Sequence, residues 1–229
     1  LQPEVMVDIN GNKSQTILDE LGFVKASAIL GKVDDADNLN GYSEITSFDE
    51  QELINKLLVA EDSIEISSIA KKLLMGASKR CVYDTDAYMR CGKPLTNIVI
   101  TREQQCAKLK DSPVQIAYSY IGGLGSTVLE KVQAENKVGA KKPQGSFRWL
   151  GNGRTILNNK GNALMTFEPY FSETPAYEDD SMVRELGVSS VMHYDAFGRM
   201  MRTDFPDGTF QKQDFDAWSV TSYDAGDCV

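Results

Sequence analysis

The residue most suited to proton transfer is His193, the only histidine in the chain. One imidazole rules out a two-histidine metal site, and a lone His inside an alternating segment points to a structural role facing solvent or a hydrogen-bonding neighbour. Asp84 and Asp86 alternate on one predicted strand face, and paired carboxylates can divide acid and base work. They lie in Val82-Tyr-Asp-Thr-Asp86, a tyrosine–aspartate order that favours a scaffold turn. Asp34, Asp35 and Asp37, followed by Asn38 and Gly41, hint at calcium. Their order does not fit the calcium loop and its closing Glu is missing, so an acidic linker is expected. Gly122-Gly-Leu-Gly125 has the composition of a phosphate loop, but no Lys-Ser or Lys-Thr follows it. The continuation Ser126–Val132 alternates like a strand instead. No Gly-x-Ser-x-Gly elbow is present. Cys81, Cys91, Cys106 and Cys228 lack zinc-site spacing, so free thiols are expected, with a Cys81–Cys91 bridge as the open alternative. The expectation is a protein that is no enzyme and uses no cofactor or metal.

Composition agrees. The 229 residues carry a formal net charge of -9, which gives nucleic-acid binding little electrostatic support. Hydrophobic residues make up 41%, ordinary for a globular protein, and no apolar run approaches the roughly 18 residues of a membrane span. The chain opens on Leu1 without a signal segment, which reads as a piece of a longer protein whose export signal lies elsewhere.

The elements that would position these groups are hairpins. Asp8-Ile-Asn-Gly11, Asp19-Glu-Leu-Gly22 and Asp195-Ala-Phe-Gly198 share one spacing, and Asn158-Asn-Lys-Gly161 substitutes Asn. In such turns the Asp or Asn side chain bonds amides further along, and Gly supplies the positive φ that closes a bulged hairpin. Asp207-Gly208 marks another turn. Gly122–Gly125 has lost its Asp and Asp216-Ala-Trp-Ser219 its Gly. The residue before each full or degenerate copy is apolar, and eight residues separate both Gly11 from Asp19 and Gly208 from Asp216. That shared offset is a repeat signal.

Strands are predicted where Val114, Ile116, Tyr118 and Tyr120 alternate, where Val24, Ala26, Ala28 and Leu30 alternate, and at Asn97–Thr101. Phe147–Leu150 and Leu164–Phe167 read as strands flanking the Asn158–Gly161 turn of a sheet that grows by hairpins. One segment departs, a helical insertion over Phe48–Met75. Ser47-Phe-Asp-Glu50 has capping-box spacing, Leu53, Leu57 and Leu58 recur at helical intervals, and a second helix spans Ser67–Met75 with Gly76 as its stop. Its expected role is to cover a face of the sheet. Lys137–Gly145 and the acidic Glu173–Glu185 read as exposed loops.

Tyr194-Asp-Ala-Phe-Gly-Arg199 resembles the YD repeat of the Rhs family. Gly153–Gly161, Phe167–Phe171, Gly187–Val191, Phe205–Thr209 and Phe215–Trp218 are similar to the B component of bacterial Tc insecticidal toxin complexes. Asp8–Gly31 and Thr101–Glu103 fit the same pattern, so the likeness spans the whole chain, 1–229. Gly122 stands where that family has an acidic residue and Ser126 where it has Arg. The resemblance implies a mainly β fold: a curved YD-repeat sheet with a small helical insertion, forming a segment of a hollow shell. In that family B and C components build the shell together and enclose a toxic C-terminal polypeptide. The propeller that docks the membrane-translocating A component would lie outside this chain. No stretch matches the self-cleaving protease motif of the C component, so no catalytic residue is carried over. The implied setting is secreted and extracellular, with no membrane insertion by this chain. A cell-surface adhesion or carbohydrate-binding module built from the same repeat is the alternative. A repeat sheet cut at both ends is further expected to present unpaired edges that recruit other strands.

Overall fold

The computed structural model describes residues 4–32, 36–43, 45–123, 125–136, 139, 141 and 143–227. The fold is mainly β, as expected, in two antiparallel sheets. The first places β1 (Val5–Val7), β2 (Lys13–Leu18), β3 (Val24–Gly31), β4 (Lys79–Asp84), β5 (Leu95–Arg102), β6 (Val114–Ile121), β7 (Thr127–Ala134) and β8 (Arg148–Asn152) side by side in chain order. The second meanders through β9 (Thr155–Leu157), β10 (Ala163–Phe167), β12 (Ser189–Tyr194), β13 (Met200–Asp204), β14 (Phe210–Phe215) and β15 (Val220–Tyr223). Between β10 and β12 the chain returns to the first sheet, where β11 (Tyr170–Ser172) pairs with β8.

That division corrects the single sheet expected from the hairpins. Phe147–Leu150 belongs with β8 in the first sheet and Leu164–Phe167 with β10 in the second, and the strand before the Asn158 turn is β9. Gly153, at φ 72°, lies between β8 and β9 where the chain leaves one sheet for the other. Gly151 lets β11 close in: a Cβ there would lie 2.7 Å from the Tyr170 ring.

Alternation in β6 buries Val114, Ile116, Tyr118 and Tyr120, and the register sets Ile100 and Ile98 of β5 opposite Ile116 and Tyr118. The same face is covered by α1 (Ser47–Val59) and α2 (Ser63–Leu74), which deliver Leu57, Ile66, Ile69, Leu73 and Leu74 to the cluster. Each such side chain contributes about 1.5–3 kcal/mol by leaving water. The insertion thus supplies seven of the 25 buried residues of that cluster, so it is part of the core.

Its ends differ from the expected ones for identifiable reasons. Thr46 rather than Ser47 caps α1, accepting from the Asp49 amide at 3.1 Å. Glu50 does not reach back to the cap; it holds Lys25 and Arg80 of the sheet at 2.6 Å each. The second helix starts at Ser63, four residues before Ser67, because Asp62 accepts from the Ile64 and Glu65 amides. Met75 takes the positive φ of 48° at its end, while Gly76 makes room for Asn38, whose Oδ1 would lie 2.5 Å from a Cβ. Among the described residues two short α-helices remain, α3 (Ala87–Cys91) and α4 (Asp180–Leu186), with a 3-10 turn at Asn40–Ser43. The α3 helix replaces the tyrosine–aspartate turn expected at Asp84 and Asp86. Among the described residues no helix is long and apolar enough to cross a membrane.

Candidate functional site

Among the described residues six hairpins close through one backbone frame. The amide of the first residue donates to the carbonyl of the fifth, and the fourth amide donates back to the first carbonyl. The frame starts at Asp8, Asp19, Gly122, Asn158, Asp195 and Phe205, with bond lengths of 2.8–3.1 Å. The fourth residue is always glycine, at φ between 77° and 86°. These are Gly11, Gly22, Gly125, Gly161, Gly198 and Gly208, a conformation that other residues adopt only with strain.

Where the first residue is Asp or Asn, its Oδ1 accepts from the third and fifth amides. Asp8 takes Asn10 and Asn12, Asp19 takes Leu21 and Phe23, Asn158 takes Lys160 and Asn162, and Asp195 takes Phe197 and Arg199, all at 2.8–3.0 Å. Gly122 lacks that carboxylate, so its turn keeps the backbone bonds alone. Asp207 occupies the third position of the frame begun by Phe205 and takes the Thr209 amide and hydroxyl. The turn at Asp216 lacks the glycine and closes one residue shorter, from the Asp216 amide to the Ser219 carbonyl at 2.9 Å.

Tyr194 and Arg199 tie their turn to its neighbours. The Tyr194 hydroxyl donates to the Ala163 carbonyl at the start of β10, at 2.7 Å. Arg199 Nε holds Asp195 at 2.7 Å while its guanidinium lies 4.4 Å over the Phe215 ring. On one face of the second sheet, His193, Arg202, Lys212 and Tyr223 form a row across four strands. Asp204 accepts from His193 at 2.8 Å and Arg202 at 2.6 Å; these bonds, Arg202's first, hold its carboxyl below the usual range. His193 is therefore partnered, in a strand, and half exposed.

The remaining candidates are drawn into scaffold contacts. Asp84 is buried and paired with Arg90 at 2.5 Å, whereas Asp86 is exposed at the start of α3, so the two share no strand face. Asp37 is buried, taking the Ser78 hydroxyl and the Cys106 amide; Asp34 and Asp35 lie outside the described residues. Cys81, Cys91 and Cys106 are free thiols, and Cys228 lies outside the described residues. No three His, Cys, Asp or Glu side chains gather among the described residues.

One constellation escaped the sequence reading. Lys131, wholly buried, donates to Ser172 Oγ and the Thr174 and Ala176 carbonyls at 3.1, 3.0 and 2.7 Å, and pairs with Glu178. Glu178, from the stretch expected to be an exposed acidic loop, also accepts from Tyr170 at 2.9 Å and Ser172 at 2.8 Å. Burial pulls the Lys131 pKa down against the opposing pull of Glu178. The signal was the shared period of Leu129 and Lys131 in β7, which places both inward. On the opposite face of the first sheet, an apolar row crosses six strands through Cys81, Val99, Ala117, Val132, Leu150 and Phe171. Val132 and Phe171 are exposed there.

No family model matches the chain, and no curated protein does. Solved structures do. A crystal structure of TcdB2-TccC3 superposes with a TM-score of 0.72 at 19% identity, over 99% of this chain and 11% of that one. The Photorhabdus luminescens Tc holotoxin pore gives 0.68 at 14% identity, over 98% and 13%. A crystal structure of TcdB2-TccC3-Cdc42 gives 0.64 at 17%, over 99% and 13%. The chain therefore has a β-fold similar to a stretch of Tc toxin chains, and it spans about a tenth of their length.

Proposed function

We propose that this chain is an architectural segment of a Tc toxin-complex component, one stretch of a YD-repeat β-shell that encloses a toxic polypeptide. The observation that carries the reading is the likeness to TcdB2-TccC3 over 99% of the chain, joined to six turns of one frame. On this reading the chain catalyses nothing and its turns serve geometry. Its partners are the shell-forming C component with its enclosed polypeptide and, through regions elsewhere, the A component. The complex acts outside the producing cell. The apolar row of the first sheet, exposed at Val132 and Phe171, is the surface this segment would offer a neighbouring or enclosed chain. The adhesion alternative has less support, since the structural likeness reported above is to Tc toxin chains.

Protease protection tests the proposal. The full-length protein containing this chain is co-expressed with its C component, and digestion of the C-terminal polypeptide is followed over time. Protection in the intact complex, lost when residues 1–229 are removed, is expected. A polypeptide digested as fast in the complex as alone would refute the shell role. Saturable glycan binding by this chain, with no protection, would favour the adhesion module.

A further inference from the structure

The chain holds three Asn-Gly pairs, Asn10-Gly11, Asn40-Gly41 and Asn152-Gly153. In such a pair the Gly amide nitrogen can attack the side-chain carbonyl carbon of the Asn before it, because no Cβ shields the approach. How fast it does so depends on how the fold holds the two atoms, since aligned reacting atoms about 3–3.5 Å apart gain most from proximity. The three pairs are held differently.

Gly11 is the fourth residue of its turn frame, so its amide donates to the Asp8 carbonyl at 2.9 Å rather than to the Asn10 side chain. Asn40-Gly41 is wound into the 3-10 turn, with Gly41 against Met75, whose Sδ would lie 2.7 Å from a Cβ. At the end of β8 the Gly153 amide donates instead to Oδ1 of Asn152 itself, at 2.9 Å. That bond sets the attacking nitrogen beside the carbonyl whose carbon it must reach. Both flanks are fixed. Gly151 packs against the Tyr170 ring, while Arg154 is buried, donates to the Tyr177 hydroxyl at 2.6 Å and pairs with Asp180. Asn152 and Gly153 are themselves exposed, so water and base reach them.

We propose that Asn152 is a site of spontaneous modification, deamidating through a succinimide with Gly153 ahead of the other two Asn-Gly pairs. The Gly153 nitrogen gives its proton to a solvent base and bonds to Asn152 Cγ. The bond from Cγ to Nδ2 then breaks, and Nδ2 takes a proton from water and leaves as ammonia. Water adds to either carbonyl of the ring and returns a proton to the Gly153 nitrogen as that bond opens. The product is Asp, or isoaspartate with one extra methylene in the main chain. Water is the only co-reactant, and nothing is oxidised or reduced. Conversion to Asp sets a carboxylate opposite Glu130, the cross-strand partner of position 152 on β7. Like charges directly opposite destabilise a strand pair. The end of the β7–β8 pair, where the chain leaves the first sheet, therefore loosens as product accumulates. The site stands whether or not the chain belongs to a shell.

The test is peptide mapping by mass spectrometry after the folded 229-residue chain stands in mildly alkaline buffer, with a urea-unfolded sample in parallel. In the folded chain, conversion at Asn152 should run about tenfold faster than at Asn10 or Asn40. In urea the three rates should draw together. Conversion of Asn10 or Asn40 as fast as Asn152 in the folded chain would overturn the proposal. So would a preference for Asn152 that persists unchanged in urea, because it would then belong to the neighbouring sequence alone. Asn152→Asp should lower the melting temperature at low salt, and lower it less in a Glu130→Gln background. Equal losses in both backgrounds, or none in either, would overturn the cross-strand consequence.

Discussion

Replacing Lys131 by Met would strip a buried carboxylate of its cation. The Glu178 side chain is 6% exposed and Lys131's is 0%, so neither charge can turn to water. Breaking a buried pair from one side costs about 3–5 kcal/mol. Lys131→Met belongs at the upper end, because the Thr174 and Ala176 carbonyls lose their donor along with Glu178. Glu178→Gln belongs at the lower end, since Lys131 keeps Ser172 and both carbonyls and the volume is unchanged. Lys131→Met with Glu178→Gln removes both charges, and the double variant should recover at least about 2 kcal/mol over the sum of the singles. The lowered Lys131 pKa has the same meaning. A folded lysine with a depressed pKa costs stability while charged, and that cost fades as pH rises through its folded value toward the unfolded one. Urea denaturation of the wild type, both singles and the double variant measures the cycle. Additivity within about 0.5 kcal/mol would refute the claim that the two side chains act as one buried unit.

Gly198→Val should destabilise by more than about 1 kcal/mol, because position 198 holds φ 86°, whereas Gly123→Ala, in open space, should be near neutral; melting temperatures compare them, and equal small shifts would contradict the turn geometry. Leu73→Ala should cost about 2–5 kcal/mol by opening a cavity between α2 and the sheet, read by urea denaturation. Acid should loosen the turns. The Asn12 side chain holds Asp8's carboxyl low, the Thr209 hydroxyl does the same for Asp207, and Arg202 for Asp204. Stability from these groups is present above the unfolded carboxylate pKa of about 3.9 and is lost as pH falls through the folded values. A melting temperature that stays level down to about pH 2 would contradict this.

What the sequence made legible was local. An Asp-x-x-Gly turn is decided within five residues, so Asp8, Asp19 and Asp195 could be read directly, and so could the alternation of Val114–Tyr120. The misplaced features are those decided at a distance. Glu50 has the spacing of a cap residue, but Lys25 and Arg80 compete for it from the sheet. Glu178 sits in an acidic stretch, and only its partner 47 positions earlier in β7 explains its burial. The division into two sheets depends on where the chain leaves β8, near Gly153, and one glycine carries no address. Tyr120 was legible as an inward residue, while its bond to the Pro175 carbonyl depends on how that distant segment folds over β6.

The turn frame has a consequence for how such a chain ages. Its hydrogen bonds run between main-chain atoms, and the side-chain demand falls on the fourth position, where a Cβ is disfavoured. The first position tolerates Asp, Asn, Gly or Phe without altering the frame. The inward rows ask only for apolar volume, which many sequences supply. Substitutions can therefore accumulate almost everywhere before a hairpin fails. Architecture of this kind asks little of any particular sequence, and the fold superposes at a TM-score of 0.72 on a chain only 19% identical.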